Sequence, residues 1–374
     1  MRNPVGLYVH LPFCRQKCAY CDFPSYAGQE QHKEAYTMAV CEEIRQRAQG
    51  TGRLNVDTVY LGGGTPSVME PDQMRQILRQ LQESHLIRPE AEISCEANPG
   101  TLKAGFLEAL REGGVNRLSL GAQSAHAEEL AKLGRIHTWE AVEKSFALAR
   151  SAGFENISMD LMSALPGQTW DDLEETLIKA LALGPAHLSC YSLILEEGTS
   201  FYAQHERGRL ELPDEDAERA MYWNTVRLLE DAGYLQYEIS NFARPGWECR
   251  HNLNCWHYHD YLGFGASAAG LYRGQRRKNP AGLQGYLNGQ APENEELSPL
   301  DARFEMLMLG LRLNSGLDIK EFEARMGITL EKAWPEALNK HMADGLLEFF
   351  GGALRLTRRG FDLMDRVLLD FLPD

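Results

Sequence analysis

Between residues 5 and 233 the chain repeats one pattern six times: a short apolar run, then a longer stretch with apolar residues at helical spacing. The apolar runs are VGLYVH (5–10), DTVYLG (57–62), AEISCEA (91–97), RLSLG (117–121), ISMDLM (157–162) and HLSCYSLIL (187–195). Helical periodicity covers 30–49, 71–84, 102–112, 138–152 and 171–182, and a further helix fits 214–233. Strands separated by crossover helices pair in parallel. Six units fall short of the eight that close a full barrel. The expected fold is therefore α/β, with a partial (β/α)6 barrel over residues 1–234.

In parallel β/α folds, chemistry collects at the carboxyl ends of the strands. The polar and glycine-rich motifs fall there. Cys14, Cys18 and Cys21 follow the first strand, and GGGTP (62–66) follows the second. Glu96 ends the third, GAQS (121–124) follows the fourth, and Asp160 lies near the end of the fifth. Five strand ends thus point to one face.

Residues 235–298 are less regular and rich in Gly, Asn, His and aromatics. From 299 to 374 the pattern becomes helical: DARFEMLMLGLRL, IKEFEARMG and EKAWPEALNKHMADG read as three helices. LLEFFGGALRLT reads as a hairpin around Gly351–Gly352. This is the outline of a small winged-helix-like domain, without the dominant basic face of a DNA binder.

A formal charge of −15 argues against general affinity for phosphate backbones or anionic membranes, so no nucleic-acid partner is expected. The N-terminal MRNPVGLYVHLPFC has too short an apolar core for a signal peptide, and large Phe13 is wrong before a lipidated cysteine. No run reaches the length of a membrane span; the expected location is the cytoplasm. Eight cysteines scattered over 374 residues do not make a disulfide scaffold, and the tight trio points to metal binding or catalysis.

Three and then two residues between Cys14, Cys18 and Cys21 let one loop wrap three corners of a cube. A 4Fe–4S cluster held by only three thiolates keeps one iron open, as a catalytic zinc keeps one position open. A zinc site completed by a distant fourth ligand is the competing reading.

The spacing, followed by GGGTP after the next strand, resembles the radical S-adenosylmethionine (SAM) superfamily. The resemblance implies a 4Fe–4S cluster on the three cysteines, with SAM chelating the open iron. It also implies Tyr20 beside the adenine and the Gly63–Gly64 turn at the methionine amino group. The match runs from YVHLPFC through LPGQT (165–169) and resembles the group that contains the oxygen-independent coproporphyrinogen oxidases. By that resemblance Tyr8, Gly64, Thr65, Glu96, Gln123, Arg135, Asp160 and Ile194 contact SAM. The residue types suit the task. Carboxylates accept from hydroxyls or an ammonium, an amide does both, and a guanidinium forks onto a carboxylate.

Two functional classes share this pattern: the oxidases and the HemW-type haem chaperones. The oxidase loop carries another cysteine where this chain has Phe23, and the oxidase has a substantial extension before its loop. HNLNCW (251–256) resembles the chaperones' His-Asn-x-x-Tyr-Trp motif, with Cys255 in the tyrosine's place. His251 is the expected haem ligand, His257 and His259 are expected at the surface, and a zinc site on Cys249, Cys255 and His257 is a competing use. The resemblance implies a cluster-bearing, SAM-binding carrier of haem as cargo for a haem-requiring partner protein. An electron donor is needed if SAM is cleaved, and an exposed cluster favours a homodimer. The alternative is radical decarboxylation of porphyrinogen propionates.

Overall fold

A computed structural model describes residues 4–373; the expected outer limits at residues 1–3 and 374 lie outside them. Six strands form the centre: β1 (Val5–Leu11), β2 (Asn55–Gly63), β3 (Leu86–Ala97), β4 (Arg117–Gln123), β5 (Asn156–Ser163) and β6 (His187–Ser192). They pair in chain order and in parallel. Crossover helices follow them: α1 (Lys33–Thr51), α2 (Pro71–Ser84), α3 (Ala104–Glu112), α4 (Trp139–Ser151), α5 (Trp170–Leu183) and α6 (Glu215–Asp231). Local signals start them. Pro71 opens α2 behind a Glu70–Gln73 capping box, and Thr169 and Asp172 cap α5 reciprocally.

The strands alternate strictly between two faces, because successive side chains point opposite ways. Leu7, Val9, Val59, Leu61, Ile93, Leu118, Leu120, Ile157, Met159 and Leu188 pack into the core. Their neighbours on the other face are small or polar, as in Thr58 and Tyr60, Glu92 and Glu96, Arg117 and Ser119, Ser158 and Asp160. Helices cover the apolar face. The polar face curves around a chamber, as expected of a partial barrel.

Residues 235–298 lack clear periodicity, yet they extend this sheet at both edges. β7 (Leu235–Glu238) and β8 (Asn241–Ala243) add antiparallel beside β6. β9 (Asp260–Phe264) lies parallel to β1 and leads into the antiparallel meander β10 (Ala269–Tyr272), β11 (Gln275–Lys278) and β12 (Glu293–Glu296). The result is a 12-stranded sheet. These strands are short and the outermost read QRRK and ENEE; charge on edge strands erases the apolar alternation that marks inner ones. Between β8 and β9 a short helix, α7 (Arg250–Trp256), enters the concave side.

The last segment has its own core around Leu307, Leu311, Phe322 and Leu354. It contains α8 (Pro299–Leu311), α9 (Ile319–Met326) and α10 (Pro335–Ala343). Pro335 separates α10 from a single turn at Leu330–Ala333, so the expected third helix is broken there. The expected hairpin is present: β14 (Leu347–Phe350) and β15 (Ala353–Leu356), with β13 (Leu317–Asp318) on the other side of β15. Gly351 and Gly352 turn it at φ +59° and +90°. Arg312 stacks on Trp256 of α7 at 4.4 Å, and Arg325 of α9 donates to the carbonyls of His257 and Tyr258 at 3.1 and 2.6 Å.

Candidate functional site

The polar face encloses a chamber of about 420 Å3 at the carboxyl ends of the strands. Its rim is the cysteine loop. Phe13–Cys14 pairs with Tyr26–Ala27, and the loop between them carries Cys18 and Cys21. Ala19 N–H donates to the Leu133 carbonyl at 3.0 Å, which ties the loop to the far wall. The glycine turn lies directly beneath. Gly64 N–H donates to Leu11 O at 3.0 Å, and a Cβ there would stand 2.7 Å from that oxygen and 2.8 Å from Phe13 O. Only glycine permits that approach.

All three cysteines are free thiols lining the chamber. Thr65 Oγ1 donates to Cys14 Sγ and Arg135 Nη1 to Cys18 Sγ, each at 3.5 Å. Donors on the sulfurs suit thiolate ligands. Among the described residues no three His, Cys, Asp or Glu side chains converge to hold a single metal ion. Three thiols of one loop facing one chamber, with donors on two of them, are a donor set that fits an iron–sulfur cluster. The competing set of Cys249, Cys255 and His257 does not converge either. Cys249 is buried against Glu92, while the His257 ring stacks on His259 at 5.7 Å.

Below the rim, each strand end contributes to one wall. Glu96 Oε2 accepts from Gly63 N–H at 3.0 Å and Oε1 from the Tyr60 hydroxyl at 2.9 Å. Burial pushes the Glu96 carboxyl up to about 7, against the Tyr60 hydrogen bond, and the Asp160 carboxylate adds to the rise. Asp160 accepts from Ser119 Oγ on both oxygens, at 3.0 and 3.2 Å. Arg135 is clamped by the Gly121 carbonyl and by Asn98 Oδ1 at 2.9 Å; Asn98 in turn donates to Thr65 Oγ1 at 2.9 Å. Gln123 sits at φ +66°, a left-handed conformation rare for a side chain of its kind. Tyr20 lines the chamber from the cysteine loop, and Ile194 stands on the loop after β6, which stops at Ser192.

Two expected site residues are engaged within the protein. The Tyr8 hydroxyl meets His10 Nδ1 at 2.8 Å, and its ring lies 6.3 Å from that of Tyr60. His251 is not an open imidazole. It is 5% exposed, shares a hydrogen bond with Thr58 Oγ1 at 2.9 Å, and stacks on Tyr60 at 5.2 Å. Burial, with Arg117 nearby, lowers its pKa to about 3, so the ring is neutral. Thr58 and Tyr60 hold the ring in this packing, with α7 wedged into the barrel as a floor. Glu92 accepts from Arg250 N–H and His251 N–H at 3.1 Å each, capping α7. Gly6 makes room for the wedge: a Cβ there would lie 3.1 Å from Asn254 Nδ2 and 3.3 Å from His251 Cε1. His259, expected at the surface, pairs with Glu321 at 3.2 Å.

Sequence reasoning missed Tyr60, Asn98, Arg117, Tyr191 and Asn252, which also line the chamber. A signal for Arg117 existed. It opens the apolar run RLSLG, and a cation inside a buried strand has a purpose or a partner. Asn252 had none, because only the wedged helix turns it upward.

Residues 8–180 match the radical SAM superfamily, and residues 297–363 match the HemN C-terminal domain. Curated proteins named heme chaperone HemW from Bacillus subtilis and Lactococcus lactis are 38% and 37% identical, over 98% and 100% of this chain and 99% of each relative. The coproporphyrinogen III oxidase HemN of Escherichia coli, described as a radical SAM enzyme, superposes with a TM-score of 0.85. It is 26% identical, and the alignment covers 99% of this chain and 90% of that one. A three-cysteine rim on a partial barrel, the HemN-type C-terminal domain and end-to-end identity to HemW proteins lead to one conclusion: this chain belongs to the HemW family of the radical SAM superfamily.

Proposed function

We propose that the protein carries haem for delivery to a haem-requiring partner, with a 4Fe–4S cluster on Cys14, Cys18 and Cys21 and SAM in the chamber. Thr65 and Arg135 hold the cluster thiolates by hydrogen bonds and set the cysteine loop against the wall. Gly63, Gly64, Glu96, Gln123, Asp160, Tyr20 and Ile194 surround the cofactor, with Arg135 as the cation for its carboxylate. Tyr8 acts behind them, orienting His10. When bound, the cluster supplies an electron and an open iron for SAM. The chain's own work is to orient that cofactor and keep bulk water from it. An electron donor is required only if SAM is cleaved, and dimerisation would cover the exposed rim. Among the described residues no helix is long and apolar enough to cross a membrane, which fits a cytoplasmic carrier.

One observation carries the choice of carrier over oxidase: Phe23, where the oxidase loop has its additional cysteine, is 61% exposed at the chamber mouth. It offers an apolar ring to a flat ligand and no sulfur to the chemistry. The test uses one anaerobic, cluster-loaded preparation. Saturable haem binding with transfer to a haem-free recipient, and no conversion of coproporphyrinogen III, is the expected result. Conversion without haem binding would establish the oxidase instead.

A further inference from the structure

The chamber has a second arginine, and the known cofactor set does not use it. Arg117 opens β4 on the polar face, is 2% exposed, and lines the chamber. Among the described residues its Nε has no hydrogen-bond partner. A buried guanidinium with an unmet N–H donor is costly unless a ligand supplies the acceptor.

The neighbouring carboxylates are already engaged. Glu92 caps α7 through the Arg250 and His251 amides. Glu96 accepts from Tyr60 and Gly63, and Asp160 accepts from Ser119. Arg117 faces Glu92, yet its Nε is left without an acceptor among the described residues. Asn252 of α7 also lines the chamber, and its amide can donate. Arg135, the expected partner of the SAM carboxylate, is held at Gly121, four residues further along the same strand. At about 3.3 Å per residue the two anchor points are roughly 13 Å apart. The chamber therefore has a cation at each end.

We propose that Arg117 is a second carboxylate receptor, which takes a propionate of the bound tetrapyrrole at the chamber floor. This rests on the haem-carrier reading and deepens it. It places one edge of the cargo inside the barrel and leaves its apolar face toward Phe23 and Ile194 at the mouth, both largely exposed.

The experiment compares ferric haem with its dimethyl ester, whose propionates are capped. Both are titrated into cluster-loaded protein in the presence of SAM. Wild type should bind haem about tenfold more tightly than the ester, the effect of one charge-assisted pair. Arg117→Gln should abolish that preference by weakening haem alone. Arg117→Lys keeps the charge facing Glu92 and should restore part of the preference, which guards against a folding defect. A preference that survives in Arg117→Gln, or is absent from wild type, overturns the proposal and leaves the haem reading standing. A larger loss of SAM affinity than of haem affinity assigns Arg117 to the cofactor and also overturns it. If wild type binds neither tetrapyrrole, the haem reading falls and the proposal with it.

Discussion

The rim and the floor of the chamber are built from similar residues and behave oppositely. The rim has three cysteines, a glycine turn and an arginine; the floor has two histidines, a cysteine, an arginine and a glutamate. At the rim the thiols are partly exposed and face the chamber, with donors supplied to two of them. At the floor the groups answer one another. Ser158 bonds His187 at 2.7 Å, His187 bonds Tyr237 at 2.8 Å, Thr58 bonds His251, and Glu92 holds α7. A cluster of ligating residue types becomes a site only where its bonding capacity is left unspent.

The contrast can be broken experimentally. The largest effect should come from the rim. Cys14→Ala, Cys18→Ala or Cys21→Ala should each take iron from about four atoms per chain to near zero. Cys249→Ala or Cys255→Ala should leave it unchanged, as read by anaerobic iron and sulfide analysis.

At the floor the loss should be stability instead. Glu92→Ala strips the cap from α7 and leaves buried amides unpaired, at a cost of about 3 kcal/mol in urea unfolding. Cluster content should survive. His251→Ala should cost about 2 kcal/mol by removing the Thr58 bond and the Tyr60 stack. The absorption maximum of bound haem should stay in place; a shifted maximum would make His251 an iron ligand and α7 a movable wedge.

The smallest effect joins the two regions through pH. The Glu96 carboxyl is raised to about 7, above its unfolded value, so the folded, ligand-free protein favours the protonated form. The stability this group contributes is complete at low pH and declines as pH rises from about 4.5 to about 7. Cationic SAM favours the ionised form, so its affinity should rise roughly tenfold between about pH 6 and about pH 8. Calorimetry should show that rise in wild type and a flat profile in Glu96→Gln.

Much of the central fold was legible because parallel strands between helices carry strong apolar runs. The six inner strands and their helices lie close to where periodicity placed them. The edge strands from Leu235 to Glu296 were not legible, since they are short, charged and defined by what they pair with. The rim was legible for a similar local reason: three cysteines and three glycines sit within short loops. The packing of the floor was not legible for the opposite reason. HNLNCW has the composition of a ligand site, and nothing local reveals that Gly6, Thr58, Tyr60 and Glu92, on three different strands, receive it.

The amino-acid order alone determined a parallel β/α core, the position of the thiolate loop and the family to which the chain belongs. Those properties depend on spacing within a few residues or on periodicity within one element. Tertiary structure alone decided that His251 is packed against Thr58 and Tyr60, that Asn252 faces the chamber, and that the Nε of Arg117 has no acceptor among the described residues. Pairing of buried polar groups is settled between strands distant in the chain, and whether a side chain is satisfied or still open is a property of its neighbours in space.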